Sequence, residues 1–421
     1  MTLQFQKLFF ILQGMNRHYL TLLNDYLNLF PCVAILGVRQ CGKTTLLKML
    51  PKQWRIFDLE KSSDYQLVAQ DTDLFFRLNQ NLIAIDESQL LPELFPSLRV
   101  AIDNDRNTTG RFVITGSSSP ELIKSISESL AGRIAIIELA PFSLSEAFEN
   151  QLSDFYAFVL SKEKPDSYRQ KIKPEVEISK AHEYWLKGGY PEPWTKNNSR
   201  FTKLWMQNYV QTYIERDILR IFPVLNLQKY KLFIQMLANL SGQIINYSTV
   251  ARTLGVSQPT VREYFQIAHG TFIWRNIPSY EKNATKRIVK HPKGYLRDSG
   301  LHHFMLHQYS LSDLLVHPLM GSSWEALVIE NIIRGFTAMG AHFDYYYYRT
   351  GAGAEVDLVL EGEFGLIPFE IKYKQSVSLK ELRGLKDFIK EKKCRYGFVI
   401  NNNEKVTLID ENIIGLPFAA I

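Results

Sequence analysis

Cysteine is scarce in this chain: Cys32, Cys41 and Cys394 stand far apart, with no CxxC spacing among them. No zinc site or disulfide framework can be read from such spacing, which fits a reducing cytosol. Any apolar run long enough to span a bilayer is also missing. The stretch KLFFIL near the start is too short for the apolar part of a signal peptide, and no small-residue cleavage site follows it. The expectation is a cytoplasmic protein, with Met15 as an alternative start because the patterned segment MNRHYLTLLNDYL opens there. Nor does one sign of charge dominate, since 49 Lys+Arg against 43 Asp+Glu leave a net +6. That balance permits a nucleic-acid partner without arguing for one, because what counts is where the charge clusters. A hydrophobic fraction of 46% with 22% charged residues excludes a disordered or fibrous chain. At 421 residues, about three domains are expected.

What is present begins with VAILGVRQCGKTTLLKML. An apolar strand, Val33 to Leu36, runs into Gly37-x4-Gly42-Lys43-Thr44 and then into a helical pattern. Glycines let backbone N–H groups curl around phosphates, and the helix that follows offers its positive end. Lys43 reaches the β- and γ-phosphates, and Thr44 helps to hold Mg2+. Arg39 within the loop and Thr45 after it are counted with the ATP contacts. NLIAIDE is a buried strand ending in two carboxylates, the second half of an ATP site. Asp86 is expected in the magnesium shell, and Glu87 is expected to polarise the attacking water. A third strand, RFVITGSSS, brings Ser117 or its neighbours to the γ-phosphate, unless the same serines cap a helix ahead of PELIKS. A fourth, RIAIIEL, follows LAGR. Arg133 at that junction is either an arginine finger lent to a neighbouring subunit or a salt bridge between helix and strand. Asp58 in WRIFDLE falls at another strand end, on the expected ligand edge of a parallel sheet.

From about residue 145 the periodicity is helical. KEKPDSYRQKIKPEVEISK reads as an exposed excursion. LWMQNYVQTYIERDILRIF reads as an amphipathic helix whose Arg216 and Asp217 either approach the nucleotide or form a solvated face. In NYSTVARTLGVSQPTVREYFQIA, Ala251, Gly255 and Val261 take the small, turn and core positions of a helix-turn-helix. Ser257 caps its second helix, and Pro259 sits in that helix's first turn. The next stretch alternates like a β-wing and gathers Lys282, Lys286, Arg287, Lys290, Lys293 and Arg297. One reading is DNA contact, with Thr260 and Arg262 at the groove and the wing cations on phosphate. The other is a winged helix used as a hinge between domains.

The last hundred residues turn to an α/β pattern. SWEALVIENIIRG is a helix carrying Glu325 and Glu330, while HFDYYYYR and EVDLVLE form a hairpin followed by GLIPFEIKY. Strand alternation puts Val356, Leu358 and Leu360 on one face and Glu355 and Asp357 on the other. If the strands are neighbours, Asp357, Glu370 and Lys372 converge, with Glu325 closing over them. Such a set is of magnesium type, with Asp357 and Glu370 as hard oxygen ligands and Lys372 orienting or activating a water for phosphodiester attack. Glu391 and Lys393 repeat the Glu-x-Lys spacing on a helix, without an upstream strand aspartate.

With these motifs in view, the chain from about residue 15 resembles a large prokaryotic family of AAA+-type P-loop ATPases with a C-terminal PD-(D/E)xK endonuclease-like domain. The match is carried by GVRQCGKTTLL, IDE, ITGSS, LAGR, YIERDI, SWEALVIENI, RTGAGAEVDLV and FEIK. The resemblance implies an α/β chain with a P-loop parallel-sheet domain over 1–150 and a helical region over 151–235. A winged helix-turn-helix over 236–310 and an endonuclease-like α/β domain over 311–421 complete it. It implies ATP hydrolysis by Lys43, Thr44, Asp86 and Glu87, and endonuclease positions at Glu325, Asp357, Glu370 and Lys372. The expected cofactors are ATP and Mg2+, with Mn2+ an alternative at the second site, and the expected partners are DNA and further copies of the chain sharing ATP sites. Cys41 departs from the small or aliphatic residues usual there and raises a question of oxidation. The readings left open are an ATP-regulated nuclease, a switch that binds DNA or protein without cutting, and a protein-remodelling machine.

Overall fold

The computed structural model describes residues 17–117, 126, 128–162, 171–218, 222, 225–281, 291–351 and 353–421. They form two compact units. One takes the chain up to Pro141 with Gly270–Phe272, and the other takes Phe142–His269 with Ile273–Ile421.

Unbroken apolar runs build the first unit. Strands β1 (Cys32–Gly37), β2 (Arg55–Asp58), β3 (Ile83–Asp86), β4 (Phe112–Ser117) and β5 (Ile134–Leu139) form a parallel sheet in the order β2-β3-β4-β1-β5. All six residues of β1 and all four of β3 are buried, as expected when helices cover both faces of a parallel sheet. One core cluster takes Leu36, Phe57, Ile85 and Ile114 from the strands and Leu94, Leu98 and Ile102 from the Leu94–Asn104 helix. Because every pairing is parallel, the strand ends that carry chemistry fall on one edge. Gly37 lies opposite Ser117, and Asp58 opposite Asp86. That is the edge where open α/β sheets bind ligands.

The second unit opens with helices, including Asp154–Leu160, Ile178–Lys187 and Ser199–Tyr209. The last of these passes into a π-helix over Val210–Asp217, a widening that a 3.6-residue pattern does not disclose. The side chains of Arg216 and Asp217, and residues 163–170 of the polar excursion, lie outside the described residues. Then come a helix (Leu227–Leu240), β6 (Gln243–Ile244), two more helices (Tyr247–Leu254 and Gln258–Gly270), β7 (Trp274–Ile277) and β8 (Lys293–Leu296). The three strands form an antiparallel sheet with β8 in the middle. Gly255, at φ 63°, ends the first helix of the pair, and the Ser257 hydroxyl accepts from the Thr260 N–H at 3.2 Å.

The C-terminal part is a six-stranded mixed sheet of β9 (Phe343–Arg349), β10 (Glu355–Gly362), β11 (Gly365–Ile371), β12 (Gly397–Asn401), β13 (Thr407–Asp410) and β14 (Ile413–Pro417). Their order is β13-β14-β12-β11-β10-β9. The Met320–Ala338 helix is buried at every residue from Ser323 to Phe336 except Glu325, so it packs on all sides. Among the described residues no helix is long and apolar enough to cross a membrane.

Candidate functional site

Among the described residues two places carry concentrated chemistry, one in each unit. In the first, the loop after β1 holds two backbone conformations that most residues avoid, Gln40 at φ 62° and Gly42 at φ 101°. They turn the chain into the Lys43–Lys48 helix. Gly37 is required for a different reason: a Cβ there would lie 2.3 Å from the carbonyl oxygen of Leu139 on β5. Lys43 is only 5% exposed, and its Nζ donates to Gly37 O at 3.1 Å and Val38 O at 3.2 Å. The ammonium therefore sits within the loop. Thr44 and Thr45 are half-buried in the first turn of the helix, and Arg39 is exposed. Cys41 is fully buried, and burial raises its thiol above the ordinary value, which keeps it from the reactive thiolate form.

Arg17, not singled out by any motif, is buried beneath this loop. Its guanidinium donates to Cys41 O and to Ala140 O, both at 2.8 Å, so it ties the loop to the chain leaving β5. Thr115 on β4 is the other residue that sequence reasoning missed. Its hydroxyl donates to Asp86 Oδ1 and accepts from the Glu87 N–H at 3.3 Å. One side chain thus orients both carboxylate residues. The signal was present in the sequence, because Thr115 lies two residues before Ser117 and shares its strand face. Glu87 itself adopts a left-handed backbone, φ 56°, and its Oε2 accepts from Gln89 Nε2 and from Ser117 Oγ at 3.5 Å. Ser118, Ser119 and the PELIKS segment lie outside the described residues. Glu60 joins this edge, its carboxyl raised first by burial and then by the charge of Glu87.

Arg133 stands at the other end of the sheet. Ile134 pairs with Cys32 and Leu139 with Gly37, so about 16 Å of strand separates Arg133 from the phosphate loop of its own chain. Its guanidinium grips Asp103 with two bonds, Nε to Oδ1 at 2.7 Å and Nη2 to Oδ2 at 2.9 Å. Of the two roles read from the sequence, the salt bridge is the one this geometry contains.

In the second unit the register that pairs Leu358 with Phe369 continues towards Asp357 and Glu370. Strict alternation along β10, expected from the sequence, is not what is found. A β-bulge falls between Val356 and Val359, and both of these residues pack into one cluster with Leu385, Phe388 and Val399. Residues three apart share a face only because of the extra residue, and Asp357 sits inside the bulge. Lys372 Nζ bonds to Glu370 Oε1 at 2.7 Å and lies 3.8 Å from Asp357 Oδ2, which also accepts from the Ile371 N–H at 2.7 Å. The Glu370 carboxyl is pushed up to about 8, by burial first and then by the charge of Asp357.

Glu325 does come to this cluster, but it is already engaged. Lys293 Nζ bonds to its Oε1 at 2.6 Å and to Glu355 Oε1 at 3.2 Å, and the Tyr295 hydroxyl donates to the same Glu325 oxygen. Burial, with the charge of Asp357, lifts the Glu325 carboxyl to about 7. Here two cations of the expected wing are corrected. Lys293 and Arg297 are each 6% exposed, so neither is a surface cation for phosphate. Arg297 instead joins Arg275 and Arg334 around Glu330, whose carboxyl these three hold down at about 2 against the effect of burial. Lys282, Lys286, Arg287 and Lys290 lie outside the described residues, while Arg262 is exposed with its guanidinium 4.5 Å over the Tyr247 ring.

Among the described residues no three Asp, Glu, His or Cys side chains are placed to hold a metal together. One feature nevertheless fits a single divalent ion at Asp357 and Glu370: Glu370 Oε2 is buried and has no hydrogen-bond partner.

An AAA domain model matches residues 30–148. Two domains of unknown function match residues 178–312 (DUF8612) and 320–421 (DUF4143). An uncharacterized protein of Mycobacterium tuberculosis is 32% identical over 351 residues, covering 83% of this chain and 72% of that one, and an uncharacterized protein of Mycobacterium bovis matches with the same figures. Among solved structures, the Walker-type ATPase of Pyrococcus abyssi is 15% identical, covers 69% of this chain and 96% of its own, and superposes with a TM-score of 0.45.

Proposed function

Because the chain belongs to the same family as these mycobacterial proteins and carries an AAA domain over residues 30–148, we propose that it is an ATP-hydrolysing switch whose second unit acts on nucleic acid through an endonuclease-like centre. The observation that carries the first half is the Thr115 hydroxyl between Asp86 and Glu87, on the sheet edge that also holds the Lys43 loop. Lys43 and the loop N–H groups bind the phosphates of ATP. Thr44 and Asp86 are the residues that would hold Mg2+, which supplies neutralisation of phosphate charge. Glu87 orients the attacking water, and Ser117, bonded to Glu87, reports the γ-phosphate; the bond between the two side chains supports this reading. The test is ATP retention and turnover with Mg2+. Lys43→Ala should lose both, whereas Glu87→Gln should retain ATP and lose about 100-fold or more in turnover. Wild-type protein that neither holds nor hydrolyses ATP would overturn the reading.

The nucleic-acid half rests on the helix–strand–helix–helix–strand–strand order around β6, β7 and β8, read as a winged helix, and on the convergence of Asp357, Glu370 and Lys372. In that centre Asp357 and Glu370 would hold a Mg2+ or Mn2+ ion, which supplies polarisation of a phosphodiester oxygen, while Lys372 positions a water. A second reading, a switch that binds DNA or protein without cutting, is favoured by the ammonium groups already engaged with Glu325 and Glu370.

A further inference from the structure

The carboxylate centre of the second unit has an open half and a closed half. In the open half, Lys372 is about a third exposed (32% for the side chain), and Glu370 keeps a buried oxygen without a partner. The closed half is built around Glu325, whose Oε1 takes two donors, the Lys293 ammonium and the Tyr295 hydroxyl. Both donors come from β8, two residues apart and therefore on one face of the strand.

Nothing in this delivery resembles a loose arm. β8 is the central strand of its sheet, paired with β6 and β7 on its two sides, and all four of its residues are buried. Between the two donors, Gly294 presses against Trp274 so closely that a Cβ would lie 2.1 Å from the indole. Tyr295 is fully buried, and the Lys293 side chain is only 7% exposed. A buried ammonium persists only when carboxylates compensate its lost hydration, and Glu325 and Glu355 do so here. The cation is part of the fold, fixed by covalent attachment to a strand that cannot shift without disturbing its neighbours.

We propose that Lys293 is a built-in cation of the centre. Its ammonium takes the place beside Glu325 that a second divalent ion would need, and it limits the centre to one exchangeable ion, at Asp357 and Glu370. This inference rests on the reading of Asp357, Glu370 and Lys372 as an endonuclease-like centre. Under it, Glu325 is a partner of Lys293 and not a metal ligand. The three-stranded sheet also becomes a contributor to the chemistry, not only a surface beside it.

The experiment counts bound Mn2+ by titration calorimetry and by electron paramagnetic resonance, on nucleotide-free full-length protein carrying Lys43→Ala to keep the P-loop out of the count. The expected result is one Mn2+ per chain, abolished by adding Asp357→Asn. Adding Lys293→Met should raise the count to two, and Glu325→Gln on top of that should return it to one. A count that stays at one in Lys293→Met, or that is already two in the parent, overturns the built-in cation while leaving the centre in place. A count of zero in the parent, or one indifferent to Asp357→Asn, overturns the endonuclease-like reading itself. Should Lys293→Met fail to fold, Glu325→Gln alone decides. It should leave the single ion bound, and loss of that ion would make Glu325 a ligand and end the proposal.

Discussion

At the edge of the first sheet, Asp86 and Glu87 are held by the hydroxyls of Thr115 and Ser117 and the amide of Gln89, whereas Glu325 and Glu370 in the second unit are held by ammonium groups. The partners differ in what they leave behind. A hydroxyl or amide orients a carboxylate and leaves its negative charge in place for an incoming cation. A lysine cancels the charge, and in a buried setting it does so strongly. The first arrangement suits a site that must take up a magnesium–nucleotide complex and release it. The second suits a centre whose charge balance is largely settled within the fold.

That contrast can be broken most forcefully at Glu330, where three arginines surround one buried carboxylate. Glu330→Gln should cost about 3–5 kcal/mol, measured as a fall in the urea midpoint of the second unit, because it strands guanidinium charge in the interior. A cost under about 1 kcal/mol, the range of exposed pairs, would mean that charge cancellation matters little in this unit.

A smaller effect sharpens the contrast from the side of groups kept neutral. His302 and His303 are fully buried, and burial holds their imidazoles at about 4 and about 3, below an ordinary 6.5. The unfolded chain therefore takes up protons first as pH falls. The stability these residues contribute is whole above about pH 6.5 and is lost as pH drops towards 4 and then 3. Urea midpoints between pH 7 and pH 4.5 should fall, and His303→Gln should flatten that slope. An unchanged slope would show that the imidazoles are not the groups responsible.

The smallest expected effect tests the hydroxyl side. Thr115→Val removes the donor to Asp86 while keeping volume, so ATP hydrolysis should slow by about tenfold, the size of one lost hydrogen bond to a charged group. Single-turnover measurement with ATP still bound would show it. Unaltered turnover would mean that Thr115 merely fills space.

How much of this could be read in advance depends on whether the chemistry is contiguous in the chain. Phosphate binding needs backbone, lysine and hydroxyl within eight consecutive residues, so the Gly37–Thr44 loop and the Asp86-Glu87 pair could be read directly, as could the strands that bear them. Arg17 could not be, because its partners Cys41 and Ala140 come together only in the folded unit. Lys293 and Arg297 read as surface cations because alternation identifies two faces of a strand without saying which is covered, and here Glu325 and the buried Glu330 cover them. Strands β12 and β14, buried along their whole length, lack the polar alternation that marks a half-exposed strand, so the sequence pattern does not mark them. The π-helix after Tyr209 likewise leaves no trace in a pattern of three and four.

The irregularity in β10 has a consequence of its own. Pairing with β9 carries one more residue on the β10 side between Val356 and Val359, so the strand is out of phase with itself at its two ends. Deleting a single residue from that interval would let β10 zip evenly against β9, to all outward measures a better strand. The same deletion would carry the acidic side chain off the face it now shares with Glu370, and the strand would gain regularity at the expense of its paired carboxylates.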